Sequence, residues 1–280
     1  MPRPREDELL VQGLRLTGIA EGGVETNIRV PELKLMFDIG MCPPGALSFG
    51  RLLVSHGHAD HLGGVHYYIS QRGMMKLPPA KIHVPAEVAP ALERVLAGWA
   101  EIEGFTYRYE LHPAAPGDRV KVGRDLTAIA VRTHHRVPSL AWVIERRVHK
   151  LRPEYTGLPG GEIQALRQQG VEVTEFVDTP LLCVTGDTTI DTFLESELIR
   201  RCKVLVHECT SWNEERSRES TREWGHTHVD ELIEHAETFE GEALVLVHRS
   251  LRHNKKLAKR VVRERFPAAV RDKVFVFGND

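Results

Sequence analysis

The sequence predicts an α/β sandwich, and three observations indicate it. Short apolar runs that are typical of buried strands alternate with longer amphipathic stretches that are typical of helices. Five of the apolar runs end in a histidine or an acid, as expected where the strands of such a fold end at a site. The composition is globular, with 41% hydrophobic and 27% charged residues, so the chain has enough apolar surface for a large core.

The first part of the chain predicts strands joined by turns. Residues 9–40 favour strands overall, residues 18–23 favour a loop, and residues 33–38 favour a strand that ends in an acid. The proline-containing residues 39–45 predict a rigid turn. Asp38 can brace the loop that follows or simply cap its own turn, and the spacing favours neither.

The chain is organised around a histidine-rich loop, residues 55–64, which follows the apolar run Leu52–Val54. Its spacing is HxHxDH, and four side chains that can bind a metal ion lie within six positions: His56, His58, Asp60 and His61. The first two histidines can point at one ion, while the acid and the last histidine can reach a second. A polar loop that is rich in histidine by chance is the alternative, but this tetrad between a strand and Gly-Gly favours a metal site.

The middle of the chain alternates between predicted helices and strands. The helices are expected over residues 65–75 and 85–99, and the strands over residues 81–84, 126–133 and 141–145.

Residues 146–180 differ in composition from the rest. They open with a basic stretch, continue with the turn-rich residues 153–161, and then predict a short helix over residues 162–169 that Gly170 closes. The residues of the basic stretch that could meet an anionic substrate are Arg146, Arg147, Lys150 and Arg152.

The last third predicts three more apolar strands, and each ends in a side chain that could belong to a site: Asp187, Glu208 and His248. The remaining elements are helices near residues 190–201, 213–223 and 228–239, a basic helix at about 254–266, and a strand over 274–277. Because no repeat, linker or low-complexity segment separates these parts, residues 1–280 are expected to form a single domain.

The ends of the strands are expected to converge on a site for two metal ions. In an open α/β sheet, sites lie beyond the carboxyl ends of the strands, so residues that are distant in sequence meet there. One ion would take His56, His58 and His135, the other would take Asp60, His61 and His248, and Asp187 would bridge them. Such pairs of ions typically lie about 3.5–4 Å apart and stabilise both the attacking and the leaving oxygen.

Two pairs of neighbours compete for a place in this site. His134 and His135 follow the same strand, and so do His207 and Glu208. Because adjacent strand residues point to opposite faces, only one member of each pair is expected to face the metals.

The totals exclude several classes of protein. The formal net charge is −2, which does not favour general binding to nucleic acid, so an anionic substrate would need a local basic patch. The four cysteines form no CxxC pair and are expected to be buried thiols rather than disulfides. The charged N-terminus is unlike a signal peptide, and no stretch approaches transmembrane length. A cytoplasmic location without membrane contact is therefore expected.

Several stretches resemble the metallo-β-lactamase superfamily and, within it, the short form of ribonuclease Z. The resemblance covers residues 35–253 and includes a histidine followed six positions later by a small residue and an aromatic. The stretches that carry it are Asp38-Ile39-Gly40-x-Cys42-Pro43, the HxHxDH loop, His135 with Ala141-Trp142, the arm-like residues 151–170, Thr185-Gly186-Asp187-Thr188-Thr189, Val206-His207-Glu208-Cys209-Thr210, Trp224-Gly225-His226-Thr227-His228 and Leu246–His253. This alignment selects His135 over His134.

The resemblance implies a metallo-β-lactamase fold, a four-layer αββα sandwich with a short inserted arm at about residues 146–180. It also implies a zinc-dependent endoribonuclease that removes the 3′ trailer of precursor tRNA by metal-hydroxide attack, with two Zn²⁺ per subunit (or Mn²⁺) in a homodimer. His226 would contact the scissile phosphate or protonate the leaving oxygen, and Glu208 would orient it. Asp60 would be both a ligand and a proton acceptor, and Ser250 and Arg252 would line the phosphate site.

The arm is expected to bind RNA through its basic stretch, whereas the basic residues near the C-terminus, Lys255, Lys256, Lys259 and Arg260, are expected to be a solvated face. The sequence departs from the family pattern at Arg249 and His253, where the family has phenylalanine and tyrosine, so base stacking or packing near the site is expected to differ. The alternatives are a phosphodiesterase of the same fold that acts on small or other nucleic-acid phosphodiesters, and an RNA-binding module that does not cleave. The full set of ligands argues against the second.

Overall fold

Two β-sheets face each other in the structure, a computed structural model that describes residues 5–278. The first sheet contains the seven N-terminal strands in sequence order, plus one short late strand that pairs with β2. These strands are β1 (Asp7–Val11), β2 (Leu14–Gly22), β3 (Glu25–Val30), β4 (Leu35–Phe37), β5 (Arg51–Leu53), β6 (Ala80–Pro85), β7 (Tyr109–Ala114) and β14 (Arg249–Ser250).

The second sheet has seven strands in the order β15-β13-β12-β11-β10-β9-β8. They are β8 (Arg119–Lys121), β9 (Leu126–Arg132), β10 (Leu140–Leu151), β11 (Thr174–Val184), β12 (Val204–Glu208), β13 (Ala243–Val247) and β15 (Val274–Val276). Strands β11, β12, β13 and β15 are parallel, and β10 is antiparallel to both of its neighbours. Every residue of β12 and β13 is buried, as expected for strands that are covered on both faces.

Helices cover the outer face of each sheet. The described helices are α1 (Ala59–Leu62), α2 (Val65–Met74), α3 (Ala89–Glu103), α4 (Gly160–Gln168), α5 (Asp191–Glu195), α6 (Glu197–Arg200), α7 (Arg218–Glu223), α8 (Val229–His235), α9 (Lys255–Arg265) and α10 (Ala268–Arg271), with short 3₁₀ turns at Pro31–Leu33, Pro44–Ser48, Pro153–Tyr155 and Ala236–Thr238. One apolar core lies between the two sheets, one joins the first sheet to α2 and α3, and one joins the second sheet to α5, α6, α8, α9 and α10. The predicted sandwich is therefore confirmed, with four layers in the order αββα.

Local sequence explains where the main helices begin and end. Helix α3 has Pro90 in its first turn and ends at Gly104, which has a φ of +72°. Helix α8 is capped by His228, whose ring accepts from the backbone N–H of Asp230, while the Glu231 carboxylate accepts from the backbone N–H of His228. Asn254 caps α9 by accepting a hydrogen bond from the backbone N–H of Leu257.

Two predictions about the extent of elements were wrong. The expected loop over residues 18–23 is mostly strand, because β2 continues through Gly18 to Gly22. Gly18 has a φ of +139°, and a Cβ there would lie 1.9 Å from the backbone oxygen of Asn27, so only glycine allows the two strands to pair so closely. The helix expected near residues 213–223 begins only at Arg218, where Ser217 caps it.

Strand β10 is longer than the predicted strand over residues 141–145, and its extra length forms a ribbon with β11. The ribbon pairs Trp142 with Val184 at one end and Leu151 with Thr174 at the other. Because β11 is parallel to β12, the first end lies at the edge where β11 and β12 finish, and the ribbon extends toward the opposite edge. Helix α4 lies between its two strands in sequence. We call residues 146–180 the arm.

The structure agrees with two further expectations of the sequence. The cysteines at positions 42, 183, 202 and 209 are buried free thiols. Within residues 5–278, every helix is too short or too polar to cross a lipid bilayer.

Candidate metal centre and acid–base pair

The predicted site residues come from both sheets and meet at one edge of the sandwich. The histidine-rich loop follows β5 of the first sheet, and α1 begins within it. His135, Asp187, Glu208 and His248 follow or end β9, β11, β12 and β13 of the second sheet. The site therefore lies where the carboxyl ends of these strands converge, as the sequence predicted.

Three histidines and one carboxylate form the first part of the cluster. The Nδ1 atom of His58 lies 3.0 Å from Nε2 of His56 and 3.3 Å from Nε2 of His135. The Oδ2 atom of Asp187 lies 3.7 Å from Nε2 of His56. The ligand atoms of these four residues all lie within 4.8 Å of one another.

Asp60, His61 and His248 form the second part, and their ligand atoms also lie within 4.8 Å of one another. The Nε2 atoms of the two histidines are 3.3 Å apart, and each lies 3.3 Å from Oδ1 of Asp187. Asp187 thus points one oxygen toward each part of the cluster.

The opposite ring nitrogens of the cluster histidines are held by partners outside it. Nδ1 of His61 is hydrogen-bonded to the carboxylate of Asp38 (2.8 Å), and Nδ1 of His56 is hydrogen-bonded to the hydroxyl of Ser55 (2.9 Å). Nδ1 of His135 donates to the carbonyl of Gly225 (2.8 Å). Such outer partners fix the orientation of metal-binding imidazoles.

These contacts decide between the two roles left open for Asp38. Its carboxylate accepts hydrogen bonds from the backbone N–H and the hydroxyl of Ser55, at 2.7 and 2.8 Å, in addition to the one from His61. Asp38 therefore braces the histidine-rich loop from below.

The charges of the cluster depend on one another. Burial alone would raise the pKa of Asp187, but the neighbouring His248 and His61 rings outweigh burial and hold that pKa well below its ordinary value. Burial alone would lower the pKa of His61, but Asp187 and Asp38 outweigh burial and raise it well above its ordinary value. Burial, together with the nearby His61, lowers the pKa of His56. Asp187 is therefore held in its ionised form, the form in which a carboxylate binds a cation.

A metal ion fits the residues present. Oδ1 of Asp187 is buried and has no hydrogen-bond partner among residues 5–278, although it faces the Nε2 atoms of His61 and His248. A buried polar atom without a partner is costly, and coordination would satisfy it. Imidazole nitrogen with carboxylate oxygen is a donor set that zinc accepts. The structure therefore contains His and Asp clusters able to bind metal.

A buried acid and a histidine lie next to the cluster. Nδ1 of His226 is 2.8 Å from Oε1 of Glu208, and the fully buried Glu208 also accepts hydrogen bonds from the backbone N–H groups of Thr188 and Thr210. Burial would lower the pKa of His226, but Glu208 outweighs burial and raises it to about 9. His226 therefore carries a proton at neutral pH, 3.9 Å from Asp187.

Comparison with known proteins gives the family. Residues 49–157 match the family described as beta-lactamase superfamily domain. The chain is 36% identical over 255 residues to tRNase Z TRZ1 of Arabidopsis thaliana, an alignment that covers 90% of this chain and 91% of that protein. The chain belongs to the tRNase Z family. It is also 35% identical over 246 residues to the chloroplastic tRNase Z TRZ2 of Arabidopsis thaliana, covering 87% of this chain and 70% of that one.

A solved structure supports the fold of this tRNase Z family member. The short form of human tRNase Z superimposes with a TM-score of 0.57 over 100% of this chain and 92% of that chain, at 16% identity. Together with the match to the beta-lactamase superfamily domain, this likeness confirms the metallo-β-lactamase fold expected from the sequence.

The structure separates the competing neighbours. His134 lies outside the cluster, where its Nε2 atom is 2.8 Å from a carboxylate oxygen of Glu195. The His207 ring lies on the helical side of the second sheet, with its centroid 6.1 Å from that of Phe193, and its Nδ1 donates to the backbone carbonyl of Glu208 at 2.7 Å. His135 and Glu208 are therefore the members of each pair that face the site.

The two departures from the tRNase Z pattern are buried rather than exposed to substrate. The Arg249 guanidinium is 3% exposed; its Nε donates to the carbonyl of His253 at 2.6 Å, and its Nη2 lies 3.5 Å from Glu21. These two residues therefore pack the loop that carries Ser250 and Arg252. Ser250 is partly buried and Arg252 is exposed at this edge.

The basic stretch of the arm is largely paired with acids. Arg147 makes two hydrogen bonds to Asp178, at 2.9 and 3.1 Å. Arg146 lies 3.4 Å from Asp125, and Arg152 lies 3.5 Å from Glu172. Residues 146–180 contain five lysine and arginine residues and five acids, so the arm has no net formal charge. The arm is therefore not the uniformly basic surface that its first residues suggested.

Sequence reasoning missed Thr210 as a member of the site. Its hydroxyl donates to Glu208 at 2.8 Å and lies 3.1 Å from Nδ1 of His248 and 3.3 Å from Nδ1 of His226. Its signals in the sequence were its place two residues after Glu208 and its membership of the stretch from Val206 to Thr210 that resembles the family. Thr210 links the acid–base pair to one of the cluster histidines.

Replacing Asp38 with asparagine should weaken metal binding by about 10–100-fold, the usual cost of removing an outer partner of a metal ligand. The amide cannot accept hydrogen bonds from Ser55 and His61 with both of its end atoms. Competition with a chelator would measure the change in affinity. Asp118→Asn, in an exposed turn where the side chain accepts only from the backbone of Ala115, is the matched control. Equal affinities for the two variants would contradict the bracing role.

Proposed function

We propose that this protein is a metal-dependent endoribonuclease that removes the 3′ trailer of precursor tRNA by hydrolysing one phosphodiester. The observation that carries the proposal is the position of His226, which the buried Glu208 holds beside a cluster of metal-capable residues and whose pKa Glu208 raises to about 9. A cation site next to a proton donor suits an anionic ester with a poor leaving group. The names of the relatives, tRNase Z, supply the class of substrate.

The cluster has enough donors for two ions, and we propose two Zn²⁺ per subunit, with Mn²⁺ as the alternative. When bound, such ions activate water and neutralise the charge that develops on the phosphate. His56, His58 and His135 would hold one, Asp60, His61 and His248 would hold the other, and Asp187 would bridge them.

The chain's own residues would then move the protons. Asp60 accepts a hydrogen bond from the backbone N–H of Gly23 at 2.9 Å, and its pKa is about 2, because the hydrogen bond and charge of His248 and His61 outweigh the effect of burial. Asp60 is thus ionised, and in the proposed reaction its carboxylate would accept the proton of the attacking water. As the bond between phosphorus and the 3′-oxygen breaks, His226 gives its proton to that oxygen. The products are tRNA with a 3′-hydroxyl and a trailer with a 5′-phosphate. Ser250 and Arg252 lie on the loop after His248, where they would contact the phosphate.

Cleavage of a labelled precursor tRNA, with zinc or manganese added, tests the proposal. The wild type should make a single metal-dependent cut at the end of the acceptor stem, and Asp60→Ala should abolish it. Turnover of bis(p-nitrophenyl) phosphate without any cut in tRNA would instead favour a phosphodiesterase of the same fold that acts on small substrates. Binding of tRNA with no hydrolysis of either substrate would leave only an RNA-binding role.

The direction of the arm bears on how tRNA would be held. The ribbon extends from the site edge toward the opposite edge of its own subunit, so the tip of the arm lies away from its own metal cluster. The arm would therefore contact tRNA at a distance from the scissile phosphate, or tRNA bound to a second subunit.

The outer face of α3 offers a surface for that second subunit. Ala91, Val95, Gly98 and Ile102 follow the spacing of a coiled-coil seam, and Val95 and Ile102 are 53% and 74% exposed. If two copies of α3 pack antiparallel about a two-fold axis near Gly98, Arg94 of each copy faces Glu101 of the other. This self-complementary charge favours a homodimer. Ile102→Glu should give a monomer in sedimentation experiments, and a persistent dimer would place the interface elsewhere.

Lys150→Ala should weaken tRNA binding more than Arg147→Ala does. Lys150 is exposed and has no ion pair among residues 5–278, whereas Arg147 is already held by Asp178. The slope of binding affinity against salt should fall by about one, because the variant neutralises one phosphate fewer. If the arm binds RNA, hydrolysis of a small phosphodiester should fall far less than tRNA binding, and equal effects on both would contradict its role.

The cytoplasmic location stays a prediction, since one relative is chloroplastic by name.

A further inference from the structure

An exposed tryptophan and an arginine are stacked at the rim of the site. The guanidinium carbon of Arg136 lies 4.7 Å from the centre of the Trp224 ring, and Trp224 is 52% exposed. The other two tryptophans at the second sheet, Trp142 and Trp212, are fully buried and donate their indole N–H to backbone carbonyls. Burial in a core therefore does not account for Trp224, and its exposed ring surface is accessible to a ligand at the rim.

The two stacked side chains belong to the loops that carry His226 and His135. Trp224 lies two residues before His226, and Arg136 directly follows His135. Their loops are packed together at Gly225, whose carbonyl accepts the hydrogen bond of His135 at 2.8 Å. Gly225 has a φ of +76°, and a Cβ there would lie 2.7 Å from Nδ1 of His135 and 3.1 Å from the backbone nitrogen of Arg136. The stacked pair is thus fixed relative to the cluster.

Further exposed apolar side chains lie on loops at the same edge. Met41, after β4, is 53% exposed, and Leu251, after β14, is 52% exposed. Met41 and Leu251 thus add apolar surface to the rim, and Arg136 and Arg252 add positive charge. This combination suits single-stranded RNA, in which bases stack and phosphates need cations.

We propose that Trp224 and Arg136 form a stacking platform for one unpaired base, that of the last nucleotide retained in the tRNA. This inference rests on the proposed function. In that reaction His226 protonates the leaving 3′-oxygen, which belongs to the retained nucleotide. Because Trp224 lies two residues from His226 in the chain, the platform would serve the retained nucleotide rather than the trailer. Stacking uses the π-face that every base has, so the platform requires a base at this nucleotide but tolerates any of the four.

The test combines a variant with substrates that lack one base. Trp224→Ala should raise KM for precursor tRNA by about 5–150-fold, the range that stacking of one base gives. Trp224→Phe should recover part of the loss. Removing the base of the last retained nucleotide should raise the KM of the wild type by a similar factor. The wild type and Trp224→Ala should then have the same KM. Removing the base of the first trailer nucleotide should leave the difference between the two proteins intact.

Arg136 gives a second, independent arm of the test. The Arg136→Met variant should bind the intact RNA more weakly than the wild type does. Most of this difference in affinity should disappear when the last retained nucleotide has no base. Arg108→Met, an exposed arginine just before β7 and therefore at the opposite edge of the sheet, is the matched control. The binding of RNA to the chelator-treated protein should follow the same pattern, which separates stacking from catalysis.

The outcomes distinguish this inference from the proposed function. If the wild type cuts precursor tRNA but Trp224→Ala loses the same factor with and without the base, the stacking platform is wrong and the function stands. If the wild type cuts no precursor tRNA, the function is wrong and the inference falls with it. Thermal unfolding of each variant checks that the fold is intact, which is expected because both side chains lie at the surface.

Discussion

His226→Ala should slow the cleavage of precursor tRNA by about 10²–10⁴-fold, the usual contribution of a general acid, and should slow hydrolysis of bis(p-nitrophenyl) phosphate far less. The 3′-oxygen of a ribose is a poor leaving group and needs a proton as it departs, whereas p-nitrophenolate leaves without one. Glu208 keeps the pKa of His226 raised, to about 9, so the ring carries the required proton at neutral pH. Rate constants for the two substrates, measured at saturating metal, give the comparison.

His134→Ala is the matched control for this experiment. His134 lies in the same stretch of sequence as His135 but outside the cluster, paired with Glu195. The His134→Ala variant should cleave both substrates at the rates of the wild type. If His226→Ala instead lost the same factor on both substrates, His226 would be acting on the metals or on phosphate binding and not as the acid for the leaving oxygen.

The Asp187→Asn variant should lose cleavage of precursor tRNA and hydrolysis of bis(p-nitrophenyl) phosphate together. The substitution removes the carboxylate that faces both parts of the cluster. An amide offers one oxygen in place of two and has no negative charge, so it cannot face both His56 and the pair of His61 and His248. The loss of metal affinity should exceed the roughly 10–100-fold cost of removing an outer partner. Elemental analysis of the purified variant and rates on both substrates measure the effect.

Asp191→Asn controls for the loss of a nearby carboxylate. Asp191 lies four residues further along the chain, where it pairs with Arg222 away from the cluster. Its variant should keep the metal content of the wild type. A normal metal content in Asp187→Asn would contradict the bridging role, and activity lost on tRNA alone would move Asp187 from the metal site to substrate binding.

Much of the site could be predicted because metal chemistry restricts the residue types and strand ends restrict their places. The HxHxDH spacing and the apolar runs before Asp187 and His248 were enough to predict that distant residues meet. The choice between His134 and His135 was harder, because β9 ends at Arg132 and neither histidine lies in the regular strand. Alternation along a strand could not decide it. The choice depended on the resemblance, and the geometry agrees.

Other features could not be predicted from spacing, since they depend on the register of distant strands. Arg147 is neutralised because the β10–β11 ribbon places it opposite Asp178, and a shift of one residue would have changed that pairing. The hydrogen bond from His135 goes to a backbone carbonyl, that of Gly225, which carries no signal in the sequence. Thr210 acts through its position between two histidines and an acid that come from three separate loops.

The candidate ligands are divided between the two halves of the sandwich. Asp60 and three histidines belong to the first sheet's loop, while His135, Asp187 and His248 belong to the second sheet. An ion bound there would link the two sheets at the edge where the site lies. This link would add to the apolar core that holds the sheets together. Because such an ion binds the folded chain and not the unfolded one, the resistance of this protein to heat should track the supply of metal. Scarcity of the metal would then lower the amount of the protein as well as its rate.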